Sequence, residues 1–205
     1  MANNKRNEII NSAVNLIIKK GYFNTSVLDI TKGAQISKGS FYTYFESKDS
    51  IILEMIQKRF EEITFEQEII MKASLSFENA LRHLITLRMN FRYENIKIEL
   101  VFLNLIRNTD ILNTELKKEL EKIDKENMVF IENLLNKFSG EINIEKKYIN
   151  KYSQLINSII KDLKKYRFIS LEEKMEGEDD IEKMYDEDLE NDIEFIYNVV
   201  LKILR

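Results

Sequence analysis

An all-α fold is predicted for this chain by three observations. Proline is absent and only five glycines, at positions 21, 33, 39, 140 and 177, stand among 205 residues, so the two strongest helix breakers are scarce. Apolar side chains recur at three- and four-residue steps through most of the chain. Small hydroxyl residues stand immediately before several of these stripes, where a helix needs a cap. Within this class the expected architecture is a small N-terminal three-helix bundle over residues 1–63, joined by a long helix to a helical domain over 64–205.

The first helix is read from Lys5 to Lys20. Ile9, Ile10, Ala13, Val14, Leu16 and Ile17 form its stripe, two lysines close its last turn, and Gly21 is a C-cap. Ser26 caps the next helix, with Asp29 in a capping box and Val27, Ile30 and Ala34 at helical spacing. Ser37 caps a third, short helix in which Phe41 and Phe45, four apart, face inward. Its other face is left to Lys38, Gly39, Ser40, Tyr42, Thr43 and Tyr44. One cation, a bare backbone and small hydroxyls suit the major groove, where polar groups meet base edges while phenols reach phosphates. Two helices and a tight turn over about 26–45 therefore predict a helix-turn-helix.

Ser47 caps a long helix from Lys48 to about Met71, with Ile51, Ile52, Met55, Ile56, Phe60 and Ile63 inward. Further helices are expected from about Phe77 to Tyr93, Ile96 to Arg107 and Glu115 to Phe138, with Ser76, Asn108 to Asp110, Asn113-Thr114 and Ser139-Gly140 as punctuation. Tyr148, Tyr152, Leu155, Ile156, Ile159, Ile160 and Leu163 form a wide stripe on a penultimate helix. On the last helix Ile193, Ile196, Tyr197, Val200 and Leu204 share a face, while Phe195, Val199, Leu201 and Ile203 make it apolar nearly all round. A terminal helix buried on both sides implies a second subunit, so Tyr152, Ile156, Ile160, Ile193, Ile196, Tyr197 and Val200 are the candidate dimer interface. Packing within one monomer is the alternative.

Residues 172–194 carry thirteen Asp and Glu against two Lys, which predicts a solvated connection, with one short helix capped by Ser170 and ended by Gly177. Glu178, Asp179 and Asp180 supply oxygen ligands, but calcium-loop spacing is lacking and no metal site is expected. With no Cys, one His and no Gly-rich phosphate loop, the parts of nucleophilic and metal catalysis are missing, so an enzyme and a resident cofactor are not expected. No run approaches the ~20 apolar residues of a spanning helix; a cytoplasmic location without membrane attachment is the expectation. The net charge of −4 is unevenly distributed: residues 1–50 hold seven Lys and Arg against four Asp and Glu, a net of +3, and the remainder a net of −7. The basic end is the end with the helix-turn-helix.

The run from Ile9 to Ile52 resembles the DNA-binding region of the tetracycline-repressor (TetR) family of bacterial transcription regulators. The resemblance rests on Ile9, Ala13, Leu16, Gly21, Tyr22, Thr25, Ser26, Val27, Asp29, Ile30, Ala34, Ser37, Lys38, Gly39, Phe41, Tyr42, Phe45, Ser47 and Lys48, without a gap. It implies that Lys38, Gly39, Ser40 and Thr43 approach base edges while Thr25, Ser26, Tyr42, Tyr44 and Lys48 hold phosphates. Two positions depart from the family pattern. Gln35 stands where a turn glycine is usual, at a cost of about 1 kcal/mol if the backbone needs positive φ, and Tyr44 stands where histidine is usual.

The resemblance further implies a homodimeric regulator, a repressor, that binds a near-palindromic operator in double-stranded DNA and releases it to a small-molecule effector of unknown identity. Candidate pocket residues are His83, Leu84, Leu87, Arg88, Phe91, Phe102, Ile106 and Phe130, although Leu and aromatic residues at helical spacing are core filler more often than ligand contacts. The rival of the same fold is a DNA-bound adaptor whose acidic body docks a protein partner.

Overall fold

The structure is a computed structural model that describes residues 2–73, 75–89, 93–106, 112, 114–174 and 189–205. Among them are nine α-helices and no strand: α1 (Ala2–Lys20), α2 (Val27–Gly33), α3 (Lys38–Tyr44), α4 (Lys48–Lys72), α5 (Phe77–Met89), α6 (Tyr93–Ile106), α7 (Thr114–Lys137), α8 (Ile149–Lys174) and α9 (Leu189–Leu204). None of the described helices is long and apolar enough to cross a membrane. The chain forms two compact units, Met1–Phe60 with Arg92–Leu120, and Glu61–Phe91 with Glu121–Arg205.

In the first unit Ile9, Ala13 and Ile17 of α1, Ile30 of α2, Phe41 of α3 and Ile51 and Ile52 of α4 are all fully buried. α1 stops where expected, because Gly21 takes a left-handed φ of 85° and its N–H bonds the carbonyl of Ile17 at 2.8 Å. α1 and α2 lie close enough that a Cβ on Gly33 would sit 2.3 Å from Ser12 Oγ, which itself donates to the carbonyl of Ile30 at 2.9 Å. α6 belongs to this unit and packs on α1; its Leu100, Val101 and Leu105 are buried, and Lys97 donates to Asn15 of α1 at 3.2 Å. A division of the chain at residue 63 places α6 with the C-terminal part; helical periodicity identifies a stripe but not the helix that covers it.

In the second unit α9 packs against α5 and α8. Ile193, Ile196, Val200 and Leu204 are at most 1 % exposed within this one chain, as are Ile156 and Ile160 of α8. These stripes, read from the sequence as a subunit interface, are therefore core of the monomer itself. Tyr197 is half-buried beneath the Arg82 guanidinium, 4.3 Å from the ring centroid, and Tyr152 is half-buried on α8. Among the described residues of α8 and α9, the large apolar side chains left outside are others: Leu155, Tyr166 and Phe195, at 44 %, 71 % and 58 % exposed. Ser170 lies inside α8 and caps nothing, a correction to the sequence reading. Most of the acidic run, with Gly177 and with Glu178, Asp179 and Asp180, lies outside the described residues.

A polar chain crosses the interior of this unit. Arg88, 9 % exposed, donates Nη2 to Asn157 Oδ1 at 3.1 Å, Asn157 donates Nδ2 to Asp124 at 2.9 Å, and Lys161 closes on the same carboxylate at 3.1 Å. Gln67 and Asn127 add a second buried pair between α4 and α7 at 3.3 Å.

Candidate nucleic-acid interface

The helix-turn-helix is built from caps outward. Ser26 Oγ accepts the Asp29 N–H at 3.1 Å, and Asp29 accepts the Ser26 N–H at 3.0 Å, a complete capping box. Lys20 closes on the same carboxylate at 2.8 Å, and this contact, with the Ser26 hydrogen bonds behind it, holds Asp29 well below the usual carboxylate range. The first turn of α2 is thus tied to the last turn of α1.

α2 ends in a Schellman motif. The Ile36 N–H bonds the carbonyl of Thr31 at 3.0 Å and the Gln35 N–H that of Lys32 at 3.2 Å, with Gln35 in the left-handed region at φ 53°. The departure noted in the sequence is therefore a real conformational cost, because a Cβ stands where glycine is free. α3 follows at once, with Ser37 Oγ accepting the Ser40 N–H at 3.0 Å. Phe41 and Phe45, 0 % and 4 % exposed, seat it on the bundle.

That seating turns Lys38, Gly39, Tyr42 and Thr43 fully outward and leaves Ser40 and Tyr44 half-buried. Around Gly39 a Cβ would find only Ser37 Oγ, 3.9 Å away, so nothing inside the chain requires a glycine there. The Thr43 hydroxyl donates to the Gly39 carbonyl at 3.3 Å and keeps its lone pairs free. Four of the nine residues proposed for DNA thus share one outward face of α3.

Thr25 and Lys48 are placed differently. Thr25 is 2 % exposed and its hydroxyl donates to the Gly21 carbonyl at 2.9 Å, so the side chain closes the corner after α1 and is turned away from solvent. Lys48 Nζ donates to the carbonyls of Tyr22 and Thr25, at 2.7 and 2.9 Å, and lies 3.9 Å from the Tyr22 ring centroid. Burial pushes its pKa below the ordinary lysine value. Two of its three N–H groups are spent on the fold. Tyr22 is the node of this corner: its N–H donates to Asn104 Oδ1 of α6 at 2.9 Å, and its hydroxyl donates to Asp49. Burial, followed by that hydrogen bond, raises the phenol pKa far above its usual value.

One positioning residue was invisible in the sequence. Arg6 makes a bidentate pair with Glu54 of α4 and lies 4.7 Å from the centroid of Phe45, the residue that closes α3. No spacing rule reaches partners so distant along the chain. The residues suggested for an effector pocket are not gathered by either unit. In the second unit Leu84, Arg88 and Phe130 are buried, Leu87 is half-buried and His83 is exposed. Phe102 and Ile106 belong to α6 of the first unit, and Phe91 lies outside the described residues. No group of three metal-ligating side chains occurs among the described residues.

Residues 9–55 match the family model described as bacterial regulatory proteins, tetR family. The chain is 32 % identical over 135 residues to YuxN of Bacillus subtilis, an uncharacterized HTH-type transcriptional regulator, covering 64 % of this chain and 45 % of that protein. The chain spans less than half the length of the first curated relatives it matches, 45 %, 28 % and 22 % of them. Among solved structures, the fatty acid degradation regulator FadR of Bacillus halodurans superposes with a TM-score of 0.69 at 18 % identity, over 96 % of this chain and 94 % of that one. FadR of Bacillus subtilis, solved in complex with stearoyl-CoA, gives 0.68 at 19 % identity over 97 % and 98 %. At these identities the likeness is one of fold.

Proposed function

We propose that this chain, whose residues 9–55 match the family model described as bacterial regulatory proteins, tetR family, is a helix-turn-helix transcription regulator of that family and acts as a homodimeric repressor. It binds a near-palindromic operator and leaves it when a small molecule occupies the helical part beyond α4. The observation that carries the DNA reading is the outward face of α3. Lys38, Gly39, Tyr42 and Thr43 are all exposed, and Gly39 in particular answers to no packing demand of its own chain. A helix that gives up the stability of a Cβ for no internal reason keeps its backbone bare for a partner that comes close. Lys38 and Thr43 then read base edges, with Gly39 and Ser40, while Ser26, Tyr42 and Tyr44 hold phosphates. Lys48 offers its third N–H to a phosphate, and Thr25 contributes by shaping the corner.

Dimerisation uses what the monomer leaves uncovered. Leu155 and Tyr166 on α8 and Phe195 on α9 are large apolar groups in water in the single chain, and pairing these faces of two copies removes them from it. The two recognition helices of such a dimer must lie about 34–36 Å apart to reach successive major grooves. An effector that prefers a different separation releases one half-site.

The test is binding of the full chain to the duplex immediately upstream of its own gene, followed by fluorescence anisotropy, with and without candidate effectors. Stearoyl-CoA is the first to add, since a protein of this fold was solved with it. Specific, salt-dependent binding that an effector weakens is the expected result. Specific binding unaffected by small molecules but altered by a captured protein partner would favour the adaptor reading. Absence of any specific duplex binding would overturn both.

A further inference from the structure

The turn between α2 and α3 holds a second residue whose presence the fold does not explain. Gln35 is the one non-glycine residue with positive φ among the described residues, at 53°, and the two hydrogen bonds of the Schellman motif fix it there. Glycine adopts this conformation freely, whereas a side chain is penalised. Nothing inside the molecule offsets the penalty, because the Gln35 side chain is exposed and its amide has no hydrogen-bond partner among the described residues. Three residues to either side, Lys32 and Lys38 are exposed cations, so this edge of the helix-turn-helix is electropositive.

We propose that Gln35 is a DNA-contacting residue, its side-chain amide donating to a backbone phosphate oxygen at the edge of each half-site. The inference rests on the DNA-binding reading above and adds a contact outside the recognition helix. A primary amide carries two donors and no charge, so it binds a phosphate without displacing a counterion. The backbone at position 35 is pinned on both sides of the residue, so only the side-chain rotamers remain to be ordered on binding.

Two variants of the full chain separate the amide from the backbone. Gln35→Ala keeps the Cβ and its penalty but removes the amide; Gln35→Gly removes both. The probe is an operator duplex selected by the wild-type protein from a random pool, with affinity measured over a range of salt, and Tm measured without DNA. Both variants are expected to bind about three- to tenfold more weakly per half-site, by the same factor on every operator variant and with the wild-type salt slope. Gln35→Gly is expected to have a Tm equal to or above that of the wild type. Wild-type affinity in both variants overturns the proposal. Loss in Gln35→Gly alone overturns it too, since the cause is then a loosened turn. A loss that differs between operator sequences overturns the phosphate assignment in favour of a base contact. A wild-type protein that selects no duplex fails at the earlier reading, which distinguishes that failure from this one.

Discussion

Replacing Gly39 by alanine adds a single methyl group, and its effects on the free protein and on the complex are expected to have opposite signs. In the free protein the new Cβ meets only Ser37 Oγ, at 3.9 Å, which is ordinary van der Waals contact. No packing is disturbed, and a helical position gains the lower conformational entropy of alanine in the unfolded chain, about 0.5–1 kcal/mol. For a chain of this length that corresponds to a rise in Tm of roughly 1–4 °C. On DNA the methyl stands on the face proposed to touch base edges. A methyl forced into a close contact costs about 1–3 kcal/mol, or roughly fivefold to more than a hundredfold in affinity per half-site. Differential scanning fluorimetry without DNA and anisotropy with operator measure the two arms on one preparation. A variant that is stabilised and binds with wild-type affinity refutes the assignment of α3 to the groove. A variant with lowered Tm refutes the claim that the space around Gly39 is open.

Ile196→Glu, at a fully buried position of one chain, is expected to unfold the second unit, because an unpaired carboxylate there costs several kcal/mol. Phe195→Glu, at its 58 % exposed neighbour, is expected to leave the monomer folded by circular dichroism but to abolish the dimer in sedimentation; an intact dimer removes α9 from the interface. Lys48→Met is expected to lower stability by about 1–3 kcal/mol through its two lost carbonyl contacts, discounted for partial exposure, and to flatten the salt slope by about one unit per subunit. An unchanged slope makes Lys48 purely structural. Asp29 has its folded pKa depressed, so its contribution to stability is complete above the unfolded value of about 3.9 and is lost as pH falls through the lower folded value. Asp29→Asn should therefore reduce the acid dependence of unfolding below about pH 4, and an unaltered acid limb in a calorimetric pH series would contradict the pairing of Asp29 with Lys20. Lys38→Ala and Thr43→Ala are expected to change preference among operator variants by about 1–3 kcal/mol; uniform losses reassign them to phosphates.

Local chemistry was legible in the sequence wherever a helix end carries its own partner. Ser26 with Asp29, Ser37 before Ser40, Ser47 before Ser50 and Gly21 after two lysines all make the terminal contacts their spacing implies. Each of those bonds closes within four residues. The cost of Gln35 was legible only through the family resemblance, which marks the position as one where glycine is usual; the positive φ bears it out. The failures are of another kind. α9 is apolar nearly all round, so periodicity had no means of deciding that Ile196 faces its own chain and Phe195 faces water. Lys48 looked like a free cation because its acceptors are main-chain carbonyls, which every residue has and no sequence marks. Arg6 meets Glu54 and Phe45 only after α1, α3 and α4 have packed.

The close approach of α1 and α2 also restricts the order in which this sequence can drift. Ser12 Oγ occupies the space a methyl at position 33 would need, and at the same time it is hydrogen-bonded to Ile30. If Gly33 changes to alanine first, the hydroxyl must rotate away and the Ile30 carbonyl loses a donor; if Ser12 changes to glycine first, the space is already empty when the methyl arrives. The same pair of substitutions is thus harmful by one route and tolerable by the other. Descendants of this chain with alanine at 33 should have lost the hydroxyl at 12 beforehand, an epistatic sequence of events that ancestral reconstruction can date.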